Sequence, residues 1–82
     1  MTDQEKASYA HAVWETFCEV SRQERLMGPT EFSLIRHWFT HGYPLRIVLR
    51  GIRDVKKHGR FLVFYEKPVE AAMAYWERAM AS

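Results

Sequence analysis

Two histidines stand four residues apart in the run His37-Trp38-Phe39-Thr40-His41. On a helix that spacing brings both imidazoles to one face, the first requirement for a pair of metal ligands. The glutamate of the metalloprotease signature is missing, and no cysteine pair or nearby acid completes a site. Only the distant His11 and His58 are left to converge on it. The expected role is a partly exposed pair near a helix C-terminus, where a cation meets the helix dipole favourably, with no metal bound. Cys18, the single cysteine, falls in mid-helix and not at a positive N-terminus, so it reads as a half-buried structural thiol. Glu15 and Glu19 read as a solvated helix face. Gly28, Gly42, Gly51 and Gly59 are scattered, and no phosphate-cradling loop forms from them. These residues predict no enzyme, no cofactor and no small-molecule substrate.

The segment after Pro44 carries a different chemistry. At ~100° per residue, Arg46, Arg50, Arg53 and Lys57 fall within roughly a 60° arc, and the apolar residues Leu45, Val48, Leu49, Ile52 and Val55 centre roughly 120° away. Four cations thus line one helical stripe behind a core-facing seam, and His58 and Arg60 extend the basic character past it. Such a stripe can neutralise phosphates and release counterions. Without Asn or Gln beside it, it has little means of reading base edges, so the nucleic-acid partner it predicts is bound without regard to sequence. Arg22, Arg25, Arg36 and Arg78 lie among acids and are expected to matter less.

Four helical segments must position these residues. The first runs from about Asp3 to Arg25, opened by Thr2 and Glu5 at capping-box spacing, with Tyr9, Val13, Phe17 and Val20 on one face. Gly28-Pro29 breaks it. The second starts from Thr30 as N-cap, carries Phe32, Ile35, Trp38 and Phe39 inward, and ends at Gly42 as a left-handed C-terminal residue. The third opens with Pro44 at its first position and ends at Gly59. Gly51 inside it costs roughly 1 kcal/mol against Ala, and its missing side chain would let another helix approach. Residues 61–65 are a buried extended linker or a short helical turn, since a lone strand would have no partner. Pro68 opens the last helix, with Val69, Ala72, Met73, Trp76 and Met80 on its inner face. The fold class is all-α, a compact four-helix bundle or orthogonal helical array, over residues 1–82 as a single domain.

Composition bounds the setting. Eighty-two residues leave a thin stability margin, offset by five Phe, four Tyr and three Trp. A single cysteine excludes an internal disulfide and points to a reducing cytoplasm. No apolar run has signal-peptide or bilayer-spanning character, so no membrane role is expected. The net charge is only +2, but residues 1–25 hold five acids and three bases whereas residues 43–60 hold six bases and one acid. An aromatic content of 15% exceeds what so short a chain readily covers, which predicts a two-fold homodimer. Trp14, Trp38 and Tyr75 are the aromatics expected at that interface.

From Pro29-Thr30-Glu31-Phe32 the chain continues with Leu34-Ile35, Trp38 and Gly42, then Val48-Leu49, Gly51-Ile52 and a basic stretch to Gly59, then Phe64-Tyr65 and a helix holding Trp76. This order resembles the helical C-terminal module of DnaD-like primosomal replication proteins over about residues 26–77. The resemblance implies a helical fold and DNA or replication-partner binding. Pro68 departs from the family's unbroken last helix, and the family's winged-helix domain has no counterpart here. Small bacterial or phage proteins share a similar skeleton, so the rival reading is a homodimeric interaction module without catalytic activity.

Overall fold

The computed structural model describes residues 3–55 and 59–81. Helix α1 spans Asp3–Ser21, α2 Pro29–Thr40, α3 Leu45–Arg53 and α4 Glu66–Ala81, with a 3₁₀ turn at Leu62–Tyr65 ahead of α4. The chain is all-α, and no strand occurs among the described residues. Thr2, Lys57 and His58, which the sequence assigned to a cap and to the basic stretch, lie outside the described residues.

Helix α1 ends four residues before the expected Arg25. Arg22 takes a left-handed backbone (φ 55°). Its amide donates to Glu19 O (3.3 Å), and that of Gln23 donates to Cys18 O (3.1 Å). This is the paired geometry of a Schellman stop, and it reverses the chain so that residues 22–27 run back along the helix. The Trp14 indole then donates to Arg25 O (2.9 Å) and ties the returning segment down.

The start of α2 lies at Gly28 and not at Thr30. Pro29 fills the first helical position, where no amide hydrogen is needed, and Gly28 N donates to Glu31 Oε1 (3.3 Å). At the other end Gly42 has φ 74°, as expected. Gly42 N donates to Phe39 O and Tyr43 N to Trp38 O, a second Schellman stop. Pro44 is the N-cap of α3, one position earlier than anticipated. That helix closes at Arg53, where Asp54 N donates to Arg50 O (2.9 Å). A short acidic side chain at the negative helix end opposes extension, and the chain must turn here to carry Leu62 and Tyr65 into the core.

The core is aromatic, as the composition predicts. Trp38, Tyr65 and Phe17 are its largest fully buried side chains, joined by Ile35, Ile52, Leu62, Val13, Val48 and Val69. Phe17 and Tyr65 meet edge to face with centroids 5.6 Å apart, a favoured aromatic arrangement. Gly51 is where α3 crosses α4, because a Cβ there would lie 2.8 Å from Val69 Cα. Residues 62–65 are the short helical turn, not the extended linker. With three residues per turn, Leu62 and Tyr65 both point inward and are buried. Pro68 sits inside the first turn of α4 rather than opening it, at a position with no intrahelical donor to lose. Two residues assigned inward are exposed: Phe32, with Lys6 Nζ 5.6 Å from its ring centroid, and Met80, 67% exposed. Ile47 was not assigned to the core and is buried.

Candidate functional site

The nine-residue α3 buries Ile47, Val48, Gly51 and Ile52 and exposes Arg46, Arg50 and Arg53. The helix is held from behind by α4 and α1, so its basic face is presented on a packed support. The stripe is shorter than the sequence implied. Three arginines occupy about two turns, Lys57 is outside the described residues, and Arg60 lies beyond the helix. The Arg50 guanidinium approaches Asp54 Oδ2 at 3.5 Å, with both side chains about two-thirds exposed. An exposed pair of this kind contributes little to stability and leaves Arg50 accessible to another anion. The pair is the only one that involves these arginines among the described residues.

Arg60 occupies different surroundings. Its carbonyl accepts from Gln23 Nε2 and from Arg25 Nη2, each at 3.3 Å. Arg25, expected to matter little, lies with its guanidinium carbon 5.3 Å from the centroid of Phe61 and 5.8 Å from those of Trp14 and Phe17. Contact between residues 25 and 60 comes from the reversal at Arg22, and no periodicity signals it.

The interface aromatics divide. Trp38 is fully buried and Trp14 nearly so. Both belong to the core of this chain, since each packs on the inner side of its helix, and neither is available to a partner. Tyr75 is 66% exposed. It lines a concavity of about 400 Å³ along the seam between α3 and α4, with Ile47, Arg50, Ala72 and Trp76 among the other walls.

His37 and His41 do share a face, with rings 4.1 Å apart. His41 Nδ1 donates to His37 O (2.9 Å), so one of its two nitrogens is occupied by the helix end. His11 faces Glu15 Oε1 at 3.3 Å. Among the described residues no group of three or more His, Cys, Asp or Glu side chains is placed to hold a metal ion. Cys18 is a half-buried free thiol. No helix of the described residues is long and apolar enough to cross a membrane. No protein-family profile, curated protein or solved structure matches the chain.

Proposed function

We propose that the protein is a non-catalytic, nucleic-acid-associated helical module that engages phosphates through α3. The observation that carries this reading is the set of three exposed arginines on one face of a short, rigidly backed helix, only one of them facing an acid. The DnaD-like order of residues over 26–77 favours a replication-related setting. Arg46, Arg50 and Arg53 supply the phosphate contacts, with Arg60 at the margin.

With about three phosphates neutralised, the log–log dependence of duplex affinity on salt should have a slope of about −3. Arg50→Ala together with Arg53→Ala should flatten it to about −1, leaving the circular-dichroism spectrum of a helical protein unchanged. Equal binding by the double variant would reject α3 as the contact surface.

A second reading is a homodimer closed over the seam between α3 and α4, favoured by the exposed Tyr75 beside an apolar concavity. It expects a dimer mass in sedimentation that Tyr75→Glu abolishes and that salt scarcely alters.

A further inference from the structure

The 3₁₀ turn that buries Leu62 and Tyr65 turns its neighbours outward. Phe61 is 47% exposed, Val63 55% and Phe64 59%. Phe61 is the extended N-cap of the turn and Phe64 lies within it; their rings have centroids 5.9 Å apart and are inclined at 49° to each other. The pair is held firmly from below. Gly59 N donates to the Tyr65 hydroxyl (3.0 Å), which donates in turn to Gly59 O (3.3 Å). Phe64 packs so closely on the Gly59 backbone that a Cβ there would meet Phe64 Cβ at 2.6 Å. The Arg25 guanidinium carbon lies 5.3 Å from the Phe61 ring centroid, and Arg60 is the exposed chain neighbour of Phe61. Both arginines are exposed, and neither forms an ion pair with a described acid.

Two adjacent aromatic rings and two uncompensated guanidinium groups match a polyanion that offers flat π-faces between its charges. A duplex does not offer them, because its bases are already stacked on each other. We propose that Phe61 and Phe64 form a stacking platform for consecutive bases of a single-stranded nucleic acid, with Arg25 and Arg60 taking its phosphates. The inference rests on the nucleic-acid reading above and adds a second site to it, on a different element from the arginine stripe. Stacking accepts any base, so the platform confers a preference for single strands over duplexes and none for sequence.

The test is fluorescence anisotropy at low salt with three labelled probes of equal length: an oligothymidylate, a mixed-sequence duplex and an abasic strand. The parent should bind the oligothymidylate more tightly than the duplex. Each of Phe61→Ala and Phe64→Ala should weaken single-strand binding by about 5- to 150-fold and leave duplex binding unchanged. Phe61→Leu with Phe64→Leu keeps apolar cover over the core and should show the same loss, whereas tryptophan at both positions should retain binding. The abasic strand should bind parent and alanine variants alike. Unchanged oligothymidylate affinity in the ring variants, with duplex binding still dependent on Arg50 and Arg53, would overturn the platform and leave the proposed function standing. Failure of the parent to bind either oligonucleotide would remove that function and the platform with it. Binding to anionic phospholipid vesicles alone, lost in the alanine variants, would reassign the rings to a lipid surface.

Discussion

Arg22 is the one non-glycine residue with positive φ among those described. For an L-residue the left-handed region is costly by roughly 1–2 kcal/mol, and the Schellman stop at the end of α1 places Arg22 there. Arg22→Gly should therefore raise stability by about 1 kcal/mol, read as a higher urea midpoint with an unchanged slope. Tyr9 is a second residue with a measurable consequence. Burial, and then the neighbouring Tyr43, push its phenol well above the usual value of 10.0. Its hydroxyl donates to Tyr43 O (2.8 Å). A raised acid favours the neutral form in the folded state, so its contribution is complete below about pH 10 and is lost as pH climbs from there towards the raised value. Burial shifts Tyr43 and Tyr65 the same way. Unfolding midpoints measured on either side of pH 10 should fall on the alkaline side, and less steeply in Tyr9→Phe.

At the scale of elements, the contact between α3 and α4 decides the most. In an open helix Gly→Ala gains up to about 1 kcal/mol. At Gly51 the added methyl would stand 2.8 Å from Val69 Cα and 3.2 Å from Pro68 O, backbone that cannot rotate aside. Gly51→Ala should instead destabilise by about 1–3 kcal/mol in chemical denaturation, and a gain would disprove the close crossing. That glycine was legible in the sequence because an interior glycine in a strong helical pattern needs a packing reason. Gly42 was legible because a glycine ending a periodic segment has a standard geometry. The end of α1 was not, since Arg22 is a good helix former doing a glycine's work. Nor was the inward placement of Trp14, because a count of aromatics does not say which ones the core will absorb; Trp38 was legible from its place on the inward stripe of α2, and that stripe argued against the interface role also expected of it. The helical pattern of α4 runs on to Met80 beyond the neighbours that would cover it. The arginine stripe followed from 3.6-residue geometry alone, whereas the meeting of Arg25 with Phe61 depends on a chain reversal between them.

The whole molecule is a slab, 40 × 34 × 17 Å along its principal axes. Its accessible surface is 5948 Å², against about 5,200 Å² expected from its mass. Less surface therefore disappears on folding than in a rounder protein of this length. Hydration of newly exposed apolar groups is what raises the heat capacity of an unfolded chain. An ordinary 82-residue domain would show an increment of about 1.0–1.2 kcal/mol/K; differential scanning calorimetry on this one should give about a tenth less. A smaller increment lessens the curvature of stability against temperature, so the slab should lose somewhat less stability on cooling than a rounder protein of its length.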